Sequence, residues 1–365
     1  MNNKFDKIER LLGRIFISII AVVIVFTFCE ILARVRFSSY PIMERFSSAY
    51  LTLKPYVMVG CTKNIQIEDN EYLNSLGYRG KLPEKEKKPG EYRIFMLGGS
   101  TVFEGKPPIP ALLENEFKKS GFKGVNVYNF GIIAGASSQE LASILFEISD
   151  FKPDLIIMYD GNNDMNISKG FDPRPGYPFN FLVYENNPLI KDNLKGYPAF
   201  TYFIFGSTLL RHSFPSYFVH TLVPLDKLRK QVNYLSSEWK DAIVTTYVNN
   251  LIKAEKVSGA FGADFIAFFQ PTLAFKNILS PNEKKNSEVE DRLFEFDMRK
   301  RLFLELKNNN FGKLIDLSDI YKDYPDWVFT DTVHTRQEAK QLVTKEIYKH
   351  VLPLIEKTVK PDSGG

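Results

Sequence analysis

Four short segments, far apart in the sequence, carry groups suited to acyl transfer. They are Gly98-Gly99-Ser100-Thr101, Gly135, Gly161-Asn162-Asn163-Asp164 and Asp331-Thr332-Val333-His334. A serine becomes a nucleophile when a histidine takes its proton, and amide N–H groups can stabilise the oxyanion that forms next. The four segments therefore predict an enzyme that works through a covalent ester on serine.

The elements before these segments would bring three of them together. Compact apolar runs predict buried parallel strands at 92–97, 125–129 and 155–159, and Ser100, Gly135 and Asn163 follow these strands in turn. The carboxyl ends of parallel strands meet at one sheet edge, where ligands bind in open α/β folds. Later patterns predict helices at 138–148, 239–257 and 287–308 and strands at 264–269 and 313–316.

The fourth segment precedes a helix. Thr335 and Glu338 have capping-box spacing, and Leu342, Val343 and Ile347 continue at helical intervals. This pattern predicts that His334 is held at the entrance of a rigid helix.

The order and spacing of the four segments resemble the SGNH (GDSL-like) hydrolase superfamily, in its membrane-anchored bacterial type. The lead-in Asn74-Ser75-Leu76-Gly77-Tyr78-Arg79-Gly80 shares this resemblance, which extends to Leu352. The resemblance implies that Ser100 is the nucleophile, His334 the base and Asp331 the carboxylate that orients it. It also implies an oxyanion hole made of the N–H groups of Ser100 and Gly135 with the side-chain amide of Asn163. Gly161 and Asp164 would support the loop.

The same resemblance implies the fold. It is an α/β fold, a three-layer α/β/α sandwich with a mainly parallel five-stranded sheet in flavodoxin-like order, preceded by one transmembrane helix. The first block departs from the family pattern, since it reads Gly-Gly-Ser-Thr and its following glycine is displaced to Gly105. The resemblance implies no cofactor.

Two other site types fit the sequence poorly. A phosphate loop would need Ser or Thr after Lys106, where Pro107 stands. A calcium loop at 160–171 would need a glycine where Met165 stands and a terminal glutamate where Phe171 stands. No metal site is predicted.

Residues Ile15 to Ala33 form an apolar stretch long enough to cross a bilayer. Basic residues precede it, and no Ala-x-Ala-like cleavage site follows it, which favours an anchor over a cleaved signal peptide. Residues 1–14 are predicted as a cytoplasmic tail and 15–33 as the anchor of a single-pass membrane protein. The catalytic domain is expected outside the cytoplasm, in the periplasm or at the cell surface, although Arg34 and Arg36 offset part of the charge bias.

The rest of the chain divides into a spacer and lead-in at 34–90, a hydrolase domain at 91–356 and a flexible tail at 357–365. An insertion at 165–235 would shape the substrate pocket or pack on the domain, and its stretch Tyr197 to Leu210 would alternatively lie on the bilayer. It is rich in aromatic residues: Phe171, Tyr177, Phe179, Phe181, Tyr184, Tyr197, Phe200, Tyr202, Phe203 and Phe205.

A net charge of +4 on 365 residues, without a basic run interleaved with aromatics, argues against nucleic acid as a partner. The expected partners are the membrane, through 15–33, and an acyl-ester substrate that is a glycan or is lipid-linked. We therefore predict a membrane-anchored, extracytoplasmic serine esterase that removes or transfers O-acyl groups, O-acetyl in particular, on a cell-surface glycan. The alternatives are a lipase, lysophospholipase, thioesterase or O-acyltransferase, and a non-catalytic membrane-anchored partner in envelope polysaccharide assembly.

Overall fold

The computed structural model describes residues 2–36, 51–68, 71–179, 181–185, 203, 206–214 and 225–361. The chain divides into two compact units: Met1–Ala49 with Leu182–Pro224, and Tyr50–Phe181 with Leu225–Gly365. The predicted insertion aromatics Tyr197, Phe200, Tyr202 and Phe205 lie outside the described residues, as do 37–50 of the predicted spacer and 362–365 of the predicted tail.

The described strands are, in chain order, β1 (Leu51–Lys54), β2 (Met58–Cys61), β3 (Gln66–Glu68), β4 (Glu71–Tyr72), β5 (Tyr92–Gly98), β6 (Val125–Gly131), β7 (Leu155–Asp160), β8 (Asp264–Phe269) and β9 (Leu314–Asp316). The described α-helices are α1 (Asn2–Arg36), α2 (Ser100–Phe103), α3 (Ile109–Lys119), α4 (Ser137–Ser143), α5 (Asn162–Gly170), α6 (Phe181–Glu185), α7 (Thr208–Ser213), α8 (Leu225–Gln231), α9 (Ser237–Ala260), α10 (Pro281–Lys284), α11 (Val289–Asn308) and α12 (Gln337–Ile355).

Five strands form the central sheet of the larger unit. Their order is β6-β5-β7-β8-β9, and every neighbouring pair is parallel. Counted within the sheet, this is the 2-1-3-4-5 order of flavodoxin-like folds. The predicted fold class is confirmed.

Helices cover both faces of this sheet. Alternate residues of each strand point to opposite sides, so each strand contributes to the core on either face. Phe95 and Leu97 pack in the core beneath α4, α9 and α11. Ile94 and Met96 pack in the second core, with α3 and α12. Burial on both faces explains why the strands read as continuous apolar runs.

The three predicted strands before the site are present, and each is extended by one or two residues, to Gly98, Gly131 and Asp160. The helix predicted at 138–148 is divided: α4 ends at Ser143 and a π-helical turn occupies Ile144–Ile148. The later helices and strands lie within three residues of their predicted bounds.

The described part of the segment 51–90, predicted as a spacer and lead-in, belongs to the larger unit and packs into its core. Val57 and Tyr78 are buried in the first core. Tyr78 donates to Ser143 at 2.8 Å, and Lys54 donates to the carbonyl of Leu76 at 2.8 Å and to Glu147 at 2.9 Å. Isolated apolar residues between turns give little periodic signal, so the sequence did not indicate this packing.

The smaller unit contains α1. Within the described residues, Lys7–Arg36 is one helix that is long and apolar enough to cross a membrane or to act as a signal sequence. This unit also takes in 182–224, which the sequence analysis placed inside the hydrolase domain as part of the insertion.

Candidate active site

The predicted nucleophile lies at the carboxyl end of the central strand. β5 ends at Gly98, and Ser100 begins the short helix α2, where backbone N–H groups have no intrahelical acceptor. Gly99 is required by close packing, because a Cβ atom there would lie 2.3 Å from Nδ2 of Asn163. The turn therefore brings the amide of Asn163 directly over the backbone beside Ser100.

The structure joins three of the predicted site residues in a chain of hydrogen bonds. Oγ of Ser100 lies 2.7 Å from Nε2 of His334, although the two residues are 234 positions apart. Nδ1 of His334 lies 2.5 Å from Oδ2 of Asp331. The other carboxylate oxygen of Asp331 accepts the N–H groups of Val333 at 2.8 Å and His334 at 2.7 Å. This is the nucleophile–base–carboxylate arrangement of serine hydrolases.

The pKa values of the pair shift in opposite directions. The hydrogen bond to Asp331 raises the pKa of His334, while burial opposes the rise. Burial alone would raise the pKa of Asp331, but the hydrogen bonds from His334 and the two backbone N–H groups lower it overall. Asp331 therefore remains a carboxylate that orients the imidazole and stabilises its protonated form.

The helix predicted directly after His334 is present, but the capping box predicted at its start is wrong. α12 begins at Gln337 after the N-cap residue Arg336, and no side chain caps it. Thr335 instead pairs with Phe329 across the loop, and the N–H of Thr330 donates to the carbonyl of His334 at 2.8 Å. Arg336 also has an extended backbone (ψ 156°), so α12 begins one residue too late for Thr335 to be its N-cap.

A buried ion pair holds this loop. Glu283 and Lys276 have fully buried side chains and are joined at 2.7 and 2.9 Å. Glu283 also accepts the N–H groups of Val328 at 2.9 Å and Phe329 at 3.0 Å, directly before the loop. Although burial opposes it, the hydrogen bonds from Lys276 and these N–H groups lower the pKa of Glu283 to about 2. Sequence reasoning missed both residues.

A second set of missed residues holds the loop after Ser100. Arg79 donates to the carbonyls of Phe103 at 2.7 Å and Gly105 at 2.8 Å, and Lys340 donates to the carbonyl of Glu104 at 2.8 Å. A Cβ at Gly105 would lie 2.9 Å from Nζ of Lys340, so the displaced glycine allows this contact. The sequence signal was the lead-in containing Arg79, which the resemblance had singled out without assigning it a role.

The two predicted oxyanion segments touch each other. Nδ2 of Asn163 donates to the carbonyl of Gly135 at 2.7 Å, which leaves the second N–H of that amide for a ligand. The sequence predicted the N–H of Gly135 as an oxyanion donor. In the structure this N–H is already occupied, because it donates to the carbonyl of Ile132 at 2.8 Å. The left-handed backbone of Ala134 (φ 53°) closes this tight turn.

Buried carboxyl groups lie next to the segments that carry Gly135 and Asn163. Asp164 accepts the N–H of Ser137 at 3.1 Å and its hydroxyl at 2.5 Å, and so joins the start of α5, where a supporting loop was predicted, to the start of α4. Burial raises the pKa of Asp164 to about 6. Burial and the charges of Asp160 and Asp164 raise the pKa of Glu140 well above its usual range.

The fold and these contacts define an α/β/α hydrolase with a serine–histidine–aspartate array at the carboxyl edge of its sheet. The family model for GDSL-like lipases and acylhydrolases matches residues 94–347, which is more than half of the chain. The chain belongs to this family, and it is an ester-hydrolysing enzyme of the GDSL type.

Comparison with solved structures finds similar chains at low sequence identity. A lipase/acylhydrolase from Enterococcus faecalis is 14% identical, with coverage of 75% of this chain and 100% of that chain and a TM-score of 0.42. An acetyl xylan esterase from Geobacillus stearothermophilus is 11% identical, with coverage of 71% and 94% and a TM-score of 0.40. A comparison with curated protein sequences gives no match.

The first prediction concerns the buried ion pair. Lys276→Met leaves the carboxylate of Glu283 buried without its counter-ion, so the free energy of unfolding should fall by about 3–5 kcal/mol. The matched control is Lys349→Met, because Lys349 pairs with Glu346 at the surface and such a pair contributes about 0–1 kcal/mol. Urea unfolding measures both. The kcat of folded Lys276→Met should also fall, and an unchanged kcat would show that Glu283 does not position the histidine loop.

The second prediction concerns pH. His334 accepts a proton only when neutral, so activity should be lost as pH falls through its raised pKa. Asp331→Asn removes the main cause of that rise, and the midpoint of the acid limb in kcat should move to lower pH. The maximal kcat should fall by up to about 10⁴-fold, the effect of the same change in the serine-protease triad. An acid limb that stays in place in the variant would contradict the role of Asp331.

Proposed function

We propose that this enzyme is a membrane-anchored serine esterase that removes O-acyl groups, O-acetyl in particular, from a cell-surface glycan, or transfers them to another hydroxyl. The observation that carries the catalytic part is the continuous array from Oγ of Ser100 through His334 to Asp331. The apolar helix Lys7–Arg36 supports the anchor. The glycan follows from the expected location at the cell surface and from the family resemblance.

The proposed reaction uses groups already in contact. Nε2 of His334 accepts the proton of Ser100 while Oγ bonds to the ester carbonyl carbon, and the carbonyl oxygen becomes an oxyanion. The N–H of Ser100 and the second amide N–H of Asn163 are the proposed donors to this oxyanion. The intermediate then releases the alcohol, which takes its proton from His334. Water or a sugar hydroxyl, deprotonated by His334, next attacks the acyl-serine and regenerates Ser100.

Gly135 is the third proposed oxyanion donor. Its N–H now bonds to the carbonyl of Ile132, and Asn163 contacts its carbonyl instead. The N–H of Gly135 must therefore leave Ile132 to reach an oxyanion. Because the amide of Asn163 is already aimed over the nucleophile turn, we assign it the larger contribution.

A longer acyl group is the second candidate substrate. The described start of the insertion borders the site segments, since Ser138 donates to the carbonyl of Gly176 at 2.8 Å. Phe171 and Tyr177 are exposed in this region. Their rings pack edge-on against Phe179 and Phe181 respectively. Such exposed aromatic surface would favour a lipase or thioesterase.

The third prediction tests nucleophile and location together. A charged, membrane-impermeant fluorophosphonate should label the parent enzyme on intact spheroplasts, because Ser100 is half-buried at the sheet edge and the domain is proposed to lie outside the cytoplasm. Ser100→Ala should abolish both labelling and ester hydrolysis. Ser75→Ala, at an exposed serine, should keep both.

Three results would contradict parts of this proposal. Labelling of Ser100→Ala would contradict the nucleophile, and labelling only after lysis would contradict the location. An unlabelled, inactive parent would favour the non-catalytic partner. A panel of nitrophenyl esters of rising chain length then separates an acetyl esterase from a lipase, since only the former should lose kcat/KM from acetyl to octanoyl.

The fourth prediction tests the oxyanion donor. Asn163→Ala deletes one donor, so kcat should fall roughly 100-fold or more, the usual scale for one oxyanion-hole group. Asn163→Asp keeps the size but places a carboxylate beside the developing negative charge, so its kcat should be lower still. KM should change little in either variant, since the contact acts in the transition state. A raised KM with kcat preserved would make Asn163 a substrate contact instead.

A further inference from the structure

An acidic side chain, Glu30, lies in the carboxyl-terminal half of the apolar helix α1. Most of its hydrogen-bond partners come from the other described segment of the smaller unit. Glu30 accepts the hydroxyl of Ser207 at 2.7 Å and the N–H groups of Thr208 at 2.9 Å and Leu209 at 3.0 Å. These N–H groups are at the start of α7, where the first N–H groups of a helix have no acceptor within the helix. Arg34, one turn further along α1, donates to Glu30 at 2.7 Å and to the carbonyl of Gly206 at 3.1 Å.

A second contact joins the same two segments inside the apolar span. The rings of Phe26 and Phe203 have centroids 5.4 Å apart. At 1.5 Å of rise per residue, Phe26 lies about 18 Å along α1 from Arg14 and about 15 Å from Arg36. A bilayer has a hydrocarbon core about 30 Å thick. If α1 crosses a membrane, Phe26 is therefore near the middle of that core, and Phe203 is at the same depth.

The exposed surface beside this contact is apolar. Phe203 is 61% exposed and Phe214, at the end of α7, is 60% exposed. On α1, Phe28 and Ile31 are exposed as well. The described part of the smaller unit thus exposes apolar side chains from both segments, while Glu30 is paired within the unit.

We propose that Phe203 and residues 206–214 form a second membrane-embedded element, held against α1 by Glu30, and that lipid hydrocarbon covers Phe203. Hydrocarbon admits backbone only where its polar groups have partners, and it admits an ionisable side chain only where that side chain is paired. Glu30 meets both conditions, because it satisfies the first N–H groups of α7 while Arg34 neutralises its charge. The proposal rests on α1 spanning a membrane and is independent of the chemistry at Ser100.

The fifth prediction uses tryptophan fluorescence in liposomes of phosphatidylcholine brominated on its acyl chains. We expect the added emission of Phe203→Trp, measured against the parent, to be quenched as strongly as that of Phe16→Trp, whose position in α1 is 64% exposed. Phe261→Trp is the matched control, since Phe261 is 46% exposed on the larger unit. Its emission should not be quenched.

Each other outcome overturns the proposal in a distinguishable way. Quenching of Phe16→Trp with none of Phe203→Trp would leave the anchor intact and remove the second element. Absence of quenching at both positions would remove the anchor as well. Adding Glu30→Ala to Phe203→Trp should reduce the quenching, and unchanged quenching would show that Glu30 does not hold the segment. The thermal transition of each variant, compared with that of the parent, reports whether the chain still folds.

Discussion

The carboxylate of Glu283 fixes the position of the loop that brings Asp331 and His334 to Ser100. Without a helix or strand of its own, that loop depends on the N–H groups of Val328 and Phe329, which Glu283 accepts. Lys276 keeps the carboxylate ionised in a fully buried place. A buried charge that loses its partner is costly, so the loop has one low-energy arrangement. The 2.7 Å contact between Ser100 and His334 is a consequence of this arrangement.

Helix α12 relates the two sides of the proposed site to each other. It begins three residues after His334, and its first turn carries Gln337 and Lys340. Gln337 donates to the carbonyl of Pro107 at 2.8 Å, and Lys340 reaches the carbonyl of Glu104. Both acceptors lie in the loop that follows Ser100. One rigid element therefore sets the distance between His334 and Ser100, while α12 itself is fixed by its apolar side in the second core.

The sequence predicted what depends on local pattern. Apolar runs ending in glycine located the strands, and the carboxyl edge of a parallel sheet explained why Ser100 and Asn163 meet. The spacing of Thr335 and Glu338 predicted a capping box. The structure forms the box at Ser280 and Glu283 instead, where both reciprocal hydrogen bonds are present. Local spacing could not separate them, because the pairing of Thr335 with Phe329 is a tertiary contact. The role of Arg79 could not be predicted either, because its contacts with Phe103 and Gly105 are also tertiary.

Because the chain crosses between its two units more than once, a single proteolytic cut does not by itself release the larger unit from α1. The chain passes from one unit to the other near residues 49, 181 and 224, so the segment 182–224 leaves the larger unit and returns to it. Hydrolysis of one peptide bond between residues 36 and 51 would separate α1 from the remainder covalently. The two fragments would still be joined where Glu30 accepts Ser207, Thr208 and Leu209. If α1 is a membrane anchor, release of the larger unit from the membrane would therefore require loss of these contacts as well as a cut in the chain.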